Sequence, residues 1–262
     1  FIKDAFATPM SKGQPFLHRG HAAEKKGARR KRICYGGSVS NVQKQDDMRY
    51  AIADIHGCCR TFRALLQQLR IRRGDTLYLL GDYIDRGPDS KGVLDTIMGL
   101  SCNVMALRGN HEDLWLKAVA AGMDWNRVQE YNHWMETGIV ATRQSFRNTD
   151  PEPYVRFVAS LPLYLELDDY LFVHGAFDFS LPDPFGEMGQ ESMLWGRDKD
   201  YDGWKPVLCG HTPRPFQKIV ESLETNRINL DNGCCFRQER YGRLLAYDLD
   251  AKRLFVQENI DE

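Results

Sequence analysis

Residues 75–87 read DTLYLLGDYIDRG. An apolar run, Leu77 to Leu80, passes directly through Gly81 into Asp82, Asp85 and Arg86. A short apolar run bounded by glycine and charge reads as a strand covered on both faces. Working outward, residues 48–57 (MRYAIADIHG) and 103–109 (NVMALRG) have the same character. Between these three runs, residues 59–69 (CRTFRALLQQL) place Phe62, Leu65, Leu66 and Leu69 on one helical face, and residues 90–100 read as a second helix. Strands alternating with helices at this spacing predict an α/β fold with parallel βαβ units in the N-terminal half.

Further along, residues 111–160 read as mainly helical, with Trp115, Trp125 and Trp134 as core residues. LYLELDDYLFVHGAF predicts a hairpin turning at Asp168–Asp169, and PVLCGH, RINLDN and a last hairpin, GRLLAYDLDAKRLFVQE, follow a proline-rich loop. The C-terminal half is therefore expected to be rich in antiparallel strands.

The chain has 262 residues, enough for one large domain, and its hydrophobic (42%) and charged (27%) fractions match an ordinary globular protein. A net charge of -1 predicts no general affinity for nucleic acid or membranes, and no apolar run has the length of a spanning helix. Seven cysteines, with adjacent pairs at Cys58–Cys59 and Cys234–Cys235 and no C-x-x-C spacing, read as reduced thiols. The expectation is a cytoplasmic protein. Residues 1–47 stand apart: they carry ten Lys or Arg against four Asp or Glu and no sustained period. They read as a basic disordered tail or an upstream extension, with nucleic-acid binding as a minor alternative, and Met48 opens the domain of residues 48–262.

Polar clusters then recur at one kind of place. Asp54 and His56 follow the first strand, Asp82 and Asp85 the second, Asn110 and His111 the third, His174 the strand YLFV, and His211 the strand PVLC. Open α/β sheets build sites at the carboxyl ends of strands. The set of carboxylates, imidazoles and one amide suits Mn²⁺, Fe or Zn²⁺ better than Ca²⁺ or a cysteine-rich zinc site. Asp54 and His56, two residues apart, would point the same way in extended backbone, and the central Asp82 could lie between two ions.

In order, DIHG, GDYIDRG, GNHE, HGA and GHT resemble the PPP-type metallophosphoesterases, and within them the compact bacterial and phage serine/threonine protein phosphatases. The resemblance runs from Met48 to the C-terminus. It implies a calcineurin-like β-sandwich of mixed sheets flanked by helices and two divalent ions, Mn²⁺ foremost. Asp54, His56 and Asp82 would hold one ion, and Asp82, Asn110, His174 and His211 the other. A water or hydroxide shared by the ions would attack phosphorus. His111 would be the general acid, oriented by Asp85, while Arg86, Arg108 and Arg197 would grip the phosphate. The substrate would be a phosphoprotein or phosphopeptide.

Two glycines of the family pattern are Ala53 and Ala176 here, and SAPNY is absent. A symmetrical dinucleoside tetraphosphate hydrolase is the alternative, although that branch usually reads NRG and GNHD where this chain has Asp85 and Glu112. A phosphoprotein-binding pseudo-phosphatase would require a lost ligand, and none is missing. Cys58 and Cys59 stand at a helix start that could favour thiolates; ordinary packing is the reading here, with a redox brake as a minor alternative. The loop 177–195 is expected to border the substrate groove.

Overall fold

Arg49–Ile52 forms β1, and its alternation decides the layering. Tyr50 and Ile52 enter a core shared with helices, while Ala51 enters a different core facing a second sheet. In the computed structural model the described residues are 47–122, 138–197, 201, 203 and 205–261. The tail 1–46 lies outside them, as do Trp125 and Trp134.

β1 runs parallel to β2 (Thr76–Leu79), and β2 runs parallel to β3 (Asn103–Ala106). The crossovers are α1 (Cys59–Leu69) and α2 (Ser90–Gly99). All four apolar residues of the α1 stripe are buried, as their spacing predicts. After α3 (Asn110–Ala120), α4 (Ile139–Ser145) and α5 (Glu152–Ala159), β4 (Tyr164–Glu166) and β5 (Leu171–Val173) form the expected hairpin. Asp169 at its turn meets Arg49 of β1 at 2.7 Å.

The C-terminal half is more mixed than its sequence indicates. Antiparallel pairing holds for β4–β5, for the hairpin of β8 (Arg243–Asp248) and β9 (Arg253–Glu258), and for β1–β8. However, β5, β6 (Val207–Cys209) and β7 (Arg227–Asn229) run parallel, linked through α6 (Gln190–Trp195) and α7 (Phe216–Ser222). The result is a five-stranded sheet ordered β3-β2-β1-β8-β9 and a four-stranded sheet ordered β4-β5-β6-β7.

Between the sheets lie Ala51, Tyr78, Leu80, Phe172, Leu208 and Ile228. Tyr78 stacks on Phe172 across the seam at 4.7 Å and 7°. Trp115 belongs to the helix-side core, fully buried beside Phe146. The strands β1, β2, β3, β5 and β6 all deliver their carboxyl ends to one edge of this sandwich, where the polar residues gather.

Candidate active site

The backbone itself is bent into an uncommon shape here. Nine described non-glycine residues have positive φ, and six of them are Asp54, His56, Asp82, Asp85, Arg86 and His211. Left-handed conformations cost energy in residues with a side chain and persist only where surrounding contacts enforce them. Asp54 and His56 therefore converge through a turn (φ 21° and 46°), not through strand alternation as the sequence led us to expect. Gly81 (φ 98°) leads the chain into the second turn, and a side chain on Gly109 would run into Asp82.

Glu112 enforces the second turn. Its buried carboxylate accepts from the N–H groups of Asp82 (2.9 Å), Tyr83 (2.8 Å), Ile84 (3.3 Å) and Gly109 (2.9 Å). The last bond also satisfies the backbone N–H of Gly109, the N-cap of α3, at the helix start that carries Asn110 and His111. Sequence reading gave Glu112 only a role in telling subfamilies apart.

His111 and Asp85 meet as the resemblance implies: Nδ1 lies 2.7 Å from Asp85 Oδ2, both side chains being fully buried. Burial opposes a charge on His111, but Asp82 and the bond to Asp85 outweigh it and raise its pKa. Arg86 donates to Nε2 of His56 (2.7 Å) and of His111 (3.2 Å). Arg108 is placed differently from the expectation. Its guanidinium donates to the carbonyls of Ala159 (3.1 Å) and Leu161 (3.2 Å) and approaches Asp113, so it faces the α5–β4 connection instead of the cleft. Arg197 is exposed and lies at the cleft.

Asp82 is the common member of two groups whose ligand atoms lie within 4.8 Å of one another: His56, Asp82 and His111, and Asp82, His174 and His211. His174 Nε2 is 3.3 Å from Asp82 Oδ1, and His56 Nε2 is 3.5 Å from Oδ2. The Asn110 side-chain oxygen lies 2.8 Å from His174 Nε2 and 2.9 Å from His211 Nδ1. Asp54 sits at the rear, accepting the His211 N–H through both oxygens at 3.0 Å.

The electrostatics favour positive charge beside Asp82. Burial resists ionisation of Asp82, but His174 and His111 hold its carboxyl well below the usual range. Burial opposes a proton on His174, and Asp82 reverses this, pushing it up to about 10. Burial and the charge on His174 push His211 down to about 3, and burial with Arg86 keeps His56 low. Both are thus neutral imidazoles. His56 Nδ1 donates to the Ile84 carbonyl (2.9 Å), which leaves its Nε2 lone pair facing the centre. His211 Nε2 is buried with no hydrogen-bond partner. Such an orphaned acceptor costs energy unless a ligand meets it. The residues therefore fit divalent metal ions, with Asp82 able to serve two.

Above this centre opens a cleft of ≈ 430 Å³, walled by Arg86, Asn110, His111, Arg197 and His211 and by Trp195, Pro213, Phe236, Gln238 and Tyr241. The second set was missed, apart from the general expectation that the 177–195 loop borders the groove, because its members share no spacing. Asp231, after β7, was also missed. Burial raises its carboxyl to about 6, and its charge in turn adds to the burial that lifts Asp54. Cys58 and Cys59 are buried, in keeping with packing at the helix start, and burial raises the Cys59 thiol.

The pattern of the calcineurin-like phosphoesterases matches residues 50–254, most of the chain and every ligand candidate described above. The chain belongs to this family. This metallophosphoesterase is 43% identical over 82 residues to a symmetrical bis(5'-nucleosyl)-tetraphosphatase of Pectobacterium atrosepticum, which is 31% of this chain and 29% of that relative. It is 47% identical over 75 residues to the like-named protein of Delftia acidovorans, 28% and 26% of the two chains. It thus spans less than a third of the length of these relatives. Among solved structures, a candidate diadenosine tetraphosphatase superposes with a TM-score of 0.61 at 20% identity, covering 85% of this chain and 96% of that one. A serine/threonine phosphatase from Saccharomyces cerevisiae gives 0.50 at 18%, covering 85% and 83%. At such identities these structures speak for the fold. No helix among the described residues is long and apolar enough to cross a membrane.

Proposed function

We propose that this metallophosphoesterase hydrolyses phosphate monoesters whose leaving group is a strongly basic alkoxide, with phosphoserine and phosphothreonine in proteins as the substrate class. The 2.7 Å contact between Asp85 and His111 carries the reading. A carboxylate on Nδ1 fixes the imidazole so that Nε2 faces the cleft and holds its proton more firmly, as protonation of an alkoxide requires. A nucleoside polyphosphate leaving group is far less basic and needs that proton less.

Asp54, His56 and Asp82 would hold one divalent ion, and Asp82, Asn110, His174 and His211 a second, with Mn²⁺ proposed as the metal and Fe or Zn²⁺ as alternatives. When bound, such ions supply neutralisation of phosphoryl charge and activation of a water. The chain's own part is to bind and orient. Arg86 and Arg197 both line the cleft and suit the oxygens of a phosphate. An entering phosphate gives the Arg86 N–H groups an anionic acceptor in place of two neutral imidazoles. His111 Nε2, which carries no proton while it accepts from Arg86, is then free to take one up with Asp85 stabilising the imidazolium, and to pass it to the leaving oxygen.

Symmetrical cleavage of a dinucleoside tetraphosphate is the second reading, and the names of the curated relatives favour it over the first. Trp195, Phe236 and Tyr241 add aromatic walls on which a base could stack. The cleft walls, however, extend from Arg86 to Tyr241 along the chain, so an 82-residue match cannot span them. The shared stretch supports the shared chemistry and leaves substrate choice to the walls. Hydrolysis of a phosphoserine peptide beside diadenosine tetraphosphate, with Mn²⁺ and with chelator, separates the two. Mn²⁺-dependent preference for the peptide is expected; cleavage of the nucleotide alone would reverse the order of the readings.

A further inference from the structure

Asp85 is held from behind by a helix that contributes no residue to the cleft walls. Gly138 is the N-cap of α4; its carbonyl accepts the Arg86 N–H (3.3 Å), and a side chain there would sit 2.7 Å from the Arg86 nitrogen. One turn later, Thr142 is fully buried beneath the Asp85 turn. Thr142 Oγ1 donates to Asp85 Oδ1 at 2.6 Å and accepts the Asp85 N–H at 2.8 Å. Ser90 Oγ shares that N–H at 3.0 Å and lies 2.8 Å from Thr142 Oγ1. Proton counting then fixes every direction. A carboxylate only accepts, so the single Thr142 proton goes to Oδ1, and the Ser90 hydroxyl must be the donor to Thr142.

We propose that Thr142 is a positioning residue for His111, acting through Asp85, and that Ser90 supports it. This inference rests on the role of His111 as the acid. The chain of contacts is Ser90 to Thr142, Thr142 to Asp85 Oδ1, and Asp85 Oδ2 to His111 Nδ1. Asp85 has φ 70°, so its main chain is in an unfavourable region that local contacts must enforce. Thr142 grips both ends of the residue, the N–H and the carboxylate, which fixes the position of Oδ2 relative to the imidazole. Valine has nearly the shape of threonine, so packing alone gives no reason for a hydroxyl here. Buried hydroxyls are retained where their bonds are complete, as these are.

The test uses the full chain loaded with Mn²⁺ and two monoesters: a phosphoserine peptide, whose leaving alkoxide needs a proton, and p-nitrophenyl phosphate, whose leaving phenolate scarcely does. Thr142→Val is expected to lower kcat on the peptide ~10-fold, a fraction of the 10²–10⁴ that acid–base catalysis contributes. KM and the rate on nitrophenyl phosphate should change by less than about twofold, since their interactions are untouched. Thr142→Ser, which keeps the hydroxyl, should restore the peptide rate. Ser90→Ala should show a weaker form of the same bias and carries the test with Thr142→Ser if Thr142→Val does not fold. Equal losses on both substrates, no loss at all, or failure of Thr142→Ser to restore the rate would overturn the proposal. His111→Ala runs alongside: if it lacks the leaving-group bias, the acid assignment itself is wrong, whereas bias in His111→Ala without bias in Thr142→Val sinks the positioning role alone.

Discussion

Replacing Glu112 by glutamine should damage this protein almost as much as replacing it by alanine. Glu to Gln is ordinarily a mild change, but here all four partners are backbone donors, two on each oxygen: Tyr83 and Ile84 on Oε1, Asp82 and Gly109 on Oε2. An amide has one acceptor oxygen, so its NH₂ must face two N–H groups whichever way it is turned. Three of the four bonds are 2.9 Å or shorter. Leaving such buried donors unpaired costs about 1–1.5 kcal/mol each, so Glu112→Ala should lose ~4 kcal/mol and Glu112→Gln ~3 kcal/mol. Against a total stability of roughly 5–15 kcal/mol either loss is large. Because Asp82 is the shared ligand candidate and its left-handed turn is among the groups released, metal affinity should fall together with stability. Urea unfolding in chelator measures the first quantity, and calorimetric titration of Mn²⁺ the second. If Glu112→Gln unfolds within about 1 kcal/mol of the parent chain, the loop is held by something else and the argument fails.

Two further outcomes are expected. The start of α1 has no side-chain cap of its own; Asp261 supplies one from the far end of the chain, accepting from the N–H groups of Arg60 (2.9 Å) and Thr61 (2.8 Å) and from the Thr61 hydroxyl (2.6 Å). Asp261→Ala should cost ~1 kcal/mol, as a lost N-cap does, read as a lower urea midpoint with an unchanged slope. Asp75 is nearly inaccessible, and burial would raise its carboxyl, yet the Met48 N–H and Arg72 hold it below its usual value. A depressed folded pKa contributes stability that is present above the ordinary carboxylate range and lost as pH falls through the folded value. Asp75→Asn should therefore flatten the acid side of the stability profile, and an unchanged acid slope would count against this.

How much of this could be read from the letters depended on how local the cause was. The α1 stripe, the βαβ units and the hairpin at Asp168–Asp169 follow from periods of 3.6 and 2 within a dozen residues. The metal-ligand candidates were legible because each follows an apolar run. The parallel pairing of β6 and β7 was not, since three-residue strands carry no register and the connections between them show no period. Arg108 has the same motif context as Arg86, but carbonyls some fifty positions away, Ala159 and Leu161, claim its guanidinium. Thr142 was equally invisible, because nothing in IVATRQSF indicates that its fourth residue will meet Asp85. Positive φ at Asp54 and His56 is a property of the closed turn and leaves no mark in composition.

The ligand candidates come from both sheets, and this has a consequence for how the protein is made. Asp54 and the residue whose N–H it receives, His211, are separated by 157 positions. As the chain leaves the ribosome, Asp54, His56, Asp82 and Asn110 are all exposed long before His174 and His211 exist. An ion captured early would meet only half a coordination sphere and exchange freely with its surroundings. Tight binding of a divalent ion is therefore expected only once the second sheet closes on the first and brings both halves of the candidate ligand set together.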